Sequence, residues 1–205
     1  MSISQATLTA EVVKTLEIDN TDLSRFKVYE HLNQAQLFLL NKMPAKHLTA
    51  GIATATFNLV SGQTLYQWPS DFLRLIQIWL NYSASVETSE REASRWDSDQ
   101  FLRSFNAMGT VNFPFYDARR EAGFAISPAP SADQATGGRI QYVQRHPEIS
   151  ATQDSLMDAR FKNLLIYRAV ALSALVEDYS PNLNERYMAL FEQELENFMP
   201  KVRNV

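Results

Sequence analysis

The sequence predicts an α+β fold, mainly α, in which a helical bundle carries a small inserted antiparallel β subdomain of hairpins. Apolar residues recur at helical spacing near both ends of the chain, and between those ends they alternate with polar residues. A chain of 205 residues that is 45% hydrophobic can also bury a sizeable core. We therefore expect one domain over 1–205, with N-terminal helices in 1–50, a β-rich insertion in 51–150, two long C-terminal helices in 151–200 and a flexible tail in 201–205.

The N-terminal helices follow from apolar spacing. Thr21 and Asp22 suit a helix start, because their side-chain oxygens can accept hydrogen bonds from free backbone amides. Pro44 marks the end of that helix. Between them, apolar residues follow at spacings of four, three and four, at Val28, Leu32, Ala35 and Leu39. A shorter amphipathic segment at 8–16 precedes this helix.

The central region changes to a period of two. Ala55, Phe57 and Leu59 alternate with polar residues, and a turn at 61–63 leads to a returning strand at 64–68, which predicts a hairpin. The further predicted elements are a strand at 75–80, a short helix near 88–103, a hairpin of strands 116–118 and 123–127, a flexible turn at 131–138 and a last strand at 139–144.

Two long helices are predicted to follow. The first, at 161–179, carries apolar side chains in two stripes, so most of its sides should be buried. Ser180 and Pro181 end it, because proline cannot continue a helix. The second, at 184–198, is amphipathic and ends near Pro200.

The sequence offers no catalytic, metal or cofactor-binding constellation. It has no cysteine, and its histidines, His31, His47 and His146, lack the helical spacing of metal-ligand pairs. Acidic pairs such as Asp97 and Asp99 are two residues apart, which places them on different faces of a helix. We therefore predict that the protein is not an enzyme and needs no metal or cofactor.

Charge and hydropathy exclude two further classes. A formal charge of −4 disfavours a protein whose main task is gripping DNA phosphates. The most apolar window, 164–176, contains Arg168 and is shorter than the about 20 apolar residues that span a bilayer. Residues 1–16 lack the apolar stretch of a signal peptide. We therefore predict no membrane contact.

Large apolar side chains in predicted hairpin ends and loops favour an assembly protein. Exposed aromatic groups of this kind mark association surfaces, since they are otherwise an aggregation hazard. The candidate subunit or tail interface residues are Trp68, Trp79, Tyr82, Met108, Phe113 and Phe115.

Three segments occur in a distinctive order. At 64–74, a predicted hairpin runs into the pattern Tyr-x-x-Pro-x-Asp-Phe and then a strand. The segment 124–130, FAISPAP, precedes the strand at 139–144, and the alanine-rich helix and its amphipathic successor follow. Together they cover roughly 21–199, and the chain resembles the head-to-tail adaptor (connector) proteins of tailed bacteriophages.

The resemblance implies a virion structural protein that forms a closed ring of twelve copies beneath the portal. The ring would extend the DNA channel, let double-stranded DNA pass without sequence-specific binding, and provide the tail attachment platform. Its partners would be further copies of itself, the portal protein and a downstream tail or neck protein. It would be made and assembled in the bacterial host cytoplasm and lie in the virion neck.

The resemblance also implies that the C-terminal segment docks into the portal. The candidate portal-docking residues are Lys201, Val202, Arg203, Asn204 and Val205.

Three alternatives stay open. A neck stopper or tail-terminator ring belongs to the same structural class, although two long C-terminal helices favour the adaptor. A small helical DNA-packaging or regulatory protein would show salt-dependent retention on DNA. An enzyme would need a site assembled from dispersed residues such as Asp71, Arg74, Tyr142 and His146.

Overall fold

The chain divides into two units, which are described separately. In the computed structural model the first unit, here called the helical unit, comprises Met1–Gly51 and Arg145–Val205. The second, the sheet unit, comprises Ile52–Gln144. The residues that the structure describes are 2–82, 90–95, 114–120, 123–176 and 179–199.

Four α-helices form the described part of the helical unit. They are α1 (Gln5–Leu16), α2 (Val28–Lys42), α3 (Lys162–Ala174) and α4 (Pro181–Glu196). Helix α3 packs against the other three, which explains why it is apolar on most sides. Its side chains at Leu164, Leu165 and Ala169 are fully buried. The core of this unit therefore lies around α3.

Local polar contacts fix the start of α3 and its pairing with α4. The Asp158 carboxylate accepts a hydrogen bond from the backbone amide of Arg160 at 3.0 Å, at the turn that leads into α3. The Asn184 side chain of α4 donates to the carbonyl of Ala171 at 2.8 Å. Pro181 stands in the first turn of α4, where a missing amide hydrogen costs nothing.

Eight strands form the described part of the sheet unit. They are β1 (Ile52–Leu59), β2 (Leu65–Gln67), β3 (Phe72–Leu80), β4 (Arg91–Glu92), β5 (Ser94–Arg95), β6 (Phe115–Arg120), β7 (Gly123–Ser127) and β8 (Gln134–Gln144). One sheet has the order β1-β8-β3-β4 and the other β2-β7-β6-β5. All pairs are antiparallel except β5 with β6.

Strand β8 organises the first sheet. Ile52, the first residue of β1, lies opposite Val143 near the end of β8, so this unit begins and ends at neighbouring positions on two paired strands. Phe57 lies opposite Gly138, and a Cβ at that glycine would collide with the Phe57 ring. Glycine at 138 is therefore needed for the close approach of an aromatic ring.

The core of the sheet unit takes residues from both sheets. Ile78 and Ile140 come from the first, while Tyr66 and Phe124 come from the second. Ring contacts run through this core, with centroid distances of 5.0 Å between Phe57 and Tyr66 and 5.4 Å between Phe57 and Phe124. Aromatic packing therefore holds much of this unit together.

The predicted fold class is wrong. The expectation was a mainly α helical bundle with two long C-terminal helices and a small β subdomain. The described residues instead form two four-stranded sheets and four α-helices, of which the last two have 13 and 16 residues. The strand content was underestimated for a local reason. Residues 134–138, which were predicted to belong to a turn, are the beginning of β8.

Three further elements differ from expectation. Strands β1 and β2 do not form a hairpin, since β1 pairs with β8 and β2 pairs with β7. Helix α2 begins at Val28 rather than near Asp22, because Lys27 adopts a left-handed conformation with φ of 50°. Where a short helix near 88–103 was expected, the described residues 90–95 form β4 and β5, and the rest lies outside the described residues.

Within the described part of the chain, no helix combines the length and apolar character needed to cross a bilayer.

Candidate assembly sites

Trp68 lies at the end of β2 and packs inside the sheet unit. Its ring stacks on Phe72 with centroids 4.1 Å apart and planes at 10°, and contacts Phe124 at 4.7 Å. Pro69 follows it and has no amide hydrogen to donate to a neighbouring strand, which agrees with the end of β2 at Gln67. The side chain is half-buried, so most of its apolar surface is used within the subunit.

Trp79 on β3 has a different environment. The guanidinium of Arg139, from the adjacent strand β8, lies 4.1 Å from the centre of the indole. Arg139 in turn donates two hydrogen bonds to Glu90, from Nε at 2.7 Å and from Nη2 at 2.6 Å. These hydrogen bonds raise the pKa of Arg139. The three side chains form an ordered, partly exposed stack, which we call the Trp79 stack.

The two other described interface candidates are half-buried. Tyr82 donates its hydroxyl hydrogen to the carbonyl of Pro128 at 2.8 Å, and burial raises the pKa of its phenol. Phe115 begins β6, opposite Ser127. Met108 and Phe113 lie outside the described residues.

The candidate portal-docking segment at 201–205 also lies outside the described residues. The chain leading to it is well anchored. The ring of Phe198 lies 5.2 Å from that of Phe161 and 5.9 Å from that of His47. The described chain is therefore packed on the helical unit as far as Phe198.

The four residues of the enzyme alternative divide between the two units. The Tyr142 hydroxyl donates to the Asp71 carboxylate at 2.8 Å, and Arg74 lies in β3 of the same unit. His146 belongs to the helical unit and is buried. Burial first, and the hydrogen bond to Asp71 second, raise the pKa of Tyr142 to about 12. A phenol with that pKa keeps its proton at neutral pH, and the Tyr142 hydroxyl donates it to the Asp71 carboxylate.

A groove of about 510 Å³ on the helical unit was not predicted. It lies between α2 and the segment 145–149. The amide of Asn33 donates to the carbonyl of Ile149 at 3.0 Å and accepts from its backbone amide at 2.7 Å. Gln36 donates to the carbonyl of Pro147 at 3.0 Å. The only sequence signal for these hydrogen bonds was the group of amide side chains on α2.

His146 contributes an uncharged wall to the groove. It is buried, and neither ring nitrogen makes a well-formed hydrogen bond. Burial lowers its pKa, an effect that the Ala50 backbone opposes. The charged side chains that line the groove are Glu30, Glu148 and Arg145.

The described residues contain no group of three or more histidine, aspartate or glutamate side chains placed to hold a metal ion.

Comparison with known proteins adds one finding. The family model described as SU10 adaptor protein, a phage head-to-tail adaptor family, matches residues 4–204. The match runs through both units. No curated protein matches the chain.

Proposed function

The chain belongs to the SU10 adaptor protein family, and from this membership we propose that it forms a closed ring of twelve copies beneath the portal. Membership makes it a phage adaptor and a structural component of the virion. The single observation that carries the proposal is the family match, which extends over nearly the whole chain. The ring, its copy number and its place under the portal are the proposed part.

In this proposal the ring joins the portal to a downstream tail or neck protein and extends the DNA channel. The chain is made and assembled in the host cytoplasm and becomes part of the neck. Its formal charge of −4 supports a conduit, because DNA gains little counterion release from an acidic surface. Double-stranded DNA then passes without sequence-specific binding.

The C-terminal segment is the proposed portal contact. Lys201 and Arg203 give it two positive charges, and Phe198 anchors the chain that precedes it. A short segment of this kind can order against a partner at modest entropic cost.

The proposed neighbour and tail contacts keep all six apolar candidates from the sequence. Among the described ones, Trp79 is the best placed, because its indole carries an ordered Arg139 whose charge is partly exposed. Arginine and tryptophan together are typical of interface hot spots. Trp68 contributes less, since Phe72 and Phe124 already cover it.

Capture by the portal tests the proposal. We expect the full chain to comigrate with purified cognate portal rings in size-exclusion chromatography, with light scattering giving one copy per portal subunit. Deleting residues 200–205 should weaken capture while the thermal unfolding midpoint stays unchanged, because the deleted residues follow the last described helix. The matched control keeps the length of the segment and replaces its charges, Lys201→Ala with Arg203→Ala.

Three results would count against this function. A full chain that stays monomeric and ignores the portal would refute the adaptor ring. Equal capture of the full and shortened chains would refute the docking role of the segment. Salt-dependent retention on duplex DNA would support the DNA-binding alternative instead.

A further inference from the structure

Arg168 of α3 is held between two aromatic rings on the helical unit. Its guanidinium carbon lies 3.8 Å from the ring centre of Phe38 on α2 and 5.2 Å from that of Phe191 on α4. Such cation–π contacts fix the plane and direction of an arginine side chain. Side chains from three helices therefore fix the position of one guanidinium.

This cation has no charged partner within the described part of the chain. Its Nε is buried and makes no hydrogen bond, and none of the ion pairs among the described residues involves it. Burial alone lowers its pKa. A partly buried charge without a counter-charge is unfavourable, since the ring faces replace only part of the lost hydration. A carboxylate brought by a partner would compensate it.

Helix α4 carries carboxylates that also lack a partner among the described residues. Glu185, Glu192 and Glu196 are separated by seven and four residues, which places them in one stripe along the helix. All three are exposed, and none makes an ion pair within the described ranges. Phe191, which contacts Arg168, lies on another face of α4. As far as the described residues show, the stripe is therefore open to a different molecule.

We propose that Arg168 binds the glutamate stripe of α4 on a second copy of the chain. The contact joins two different patches of one sequence, which is the heterologous kind of interface that closes into rings. The guanidinium fork suits a bidentate carboxylate contact, and the two phenylalanine rings limit the rotamer entropy lost on binding. This inference rests on the ring in the proposed function and supplies its subunit contact.

The first test compares Arg168→Met with the unchanged chain. Methionine still covers Phe38 and Phe191 but carries no charge. We expect association between copies, measured by sedimentation equilibrium and by capture on portal rings, to weaken by about 10- to 100-fold, the range for a hydrogen bond to a charged group. The thermal midpoint should not fall, because the variant removes an uncompensated cation. Arg168→Lys, which keeps the charge and loses the fork, should lie between the two.

Charge exchange identifies the partner. Arg168→Glu should abolish association, and combining it in turn with Glu185→Arg, Glu192→Arg or Glu196→Arg should restore association in at least one pair. Restoration in none of the three would overturn the proposal. Unchanged association of Arg168→Met would also overturn the proposal. It would show that the charge of Arg168 is not needed for assembly, since methionine covers the rings but carries no charge.

The two proposals fail in different ways. If the portal captures the full chain and Arg168→Met equally, the adaptor function stands and the arginine contact is wrong. If the full chain self-associates through Arg168 but ignores the portal, the contact stands and the portal role is wrong. If Arg168→Met associates normally but binds duplex DNA less tightly, the arginine serves a phosphate and the proposal is wrong.

Discussion

The helical unit and the sheet unit build their cores in different ways. The helical unit gathers two distant parts of the chain around α3, and its fully buried side chains include aliphatic groups such as Leu8 and Leu164 and the ring of Phe191. The sheet unit folds from one continuous part and relies on a run of ring contacts that extends through Phe57 and Phe124. In the first unit every helix meets one central partner. In the second, the strands have no common partner, and many of them pair with strands that are distant in the sequence.

The largest expected effect tests whether the two cores are energetically separate. Leu164→Ala removes a fully buried side chain of α3, and truncations of this kind cost about 2–5 kcal/mol of unfolding free energy. The three tryptophans all lie in 52–144, so their fluorescence reports the sheet unit, while far-ultraviolet circular dichroism is dominated by the helices. We expect the dichroism transition to move to lower temperature more than the fluorescence transition does.

The matched variant is Ile78→Ala, which truncates a fully buried side chain of the sheet unit. It should move mainly the fluorescence transition. If both variants shift both transitions together, the units unfold as one and the contrast between their cores has no energetic counterpart.

A smaller effect is expected at one polar contact of the sheet unit. Tyr142→Phe removes the hydroxyl that donates to Asp71 at 2.8 Å, which should lower the unfolding free energy by about 1 kcal/mol. Chemical denaturation followed by tryptophan fluorescence measures it. Asp71→Asn keeps an acceptor oxygen and should cost less than the tyrosine change. A neutral or stabilising Tyr142→Phe would contradict this account of the contact.

The smallest effect is a pH dependence confined to the helical unit, which contains all three histidines. Burial lowers the pKa of His31 and of His146 below the ordinary value of 6.5. Below pH 6.5 these histidines bind protons in the unfolded chain more readily than in the folded chain. The stability present at neutral pH is therefore lost as the pH falls. The dichroism midpoint should decrease on acidification through this range.

His31→Gln supplies the control, because glutamine can still bond to Ser173, which lies 2.9 Å from Nδ1 of His31. The variant should show a weaker dependence on pH. A midpoint that is constant from neutral pH to pH 5, or one that falls equally in the fluorescence signal, would show that the histidines do not control it.

The sequence located many elements but not their partners. The alternation of Ala55, Phe57 and Leu59 identified β1, and the apolar spacing around Val28 and Leu32 identified α2. Pairing failed because local pattern carries no information about which distant strand lies alongside. Strand β1 pairs with β8, and Gly138 there suggested a turn, although its missing side chain makes room for Phe57. Such a contact is invisible until both strands are in place.

The same limit applies to the candidate sites. Trp68 was predicted as an interface residue from its place beside Pro69, but Phe124, far along the sequence, covers part of its ring. In the sequence, Arg168 stands out only as a charge in an apolar window, because its partners Phe38 and Phe191 come from two other helices. The fold is not the expected bundle with two long C-terminal helices, which favoured an adaptor over a stopper, because α3 and α4 have only 13 and 16 residues. The family match therefore carries that distinction.

The position of Ile52 opposite Val143 has a consequence for how such chains can diversify. Because the sheet unit leaves and rejoins the rest of the chain at adjacent points, replacing it requires only two nearby ends to be bridged, at a small cost in loop-closure entropy. Neighbouring chain ends of this kind are the arrangement in which domain insertion is well tolerated. We therefore expect a changed or replaced sheet unit to leave the packing of α1 to α4 in place.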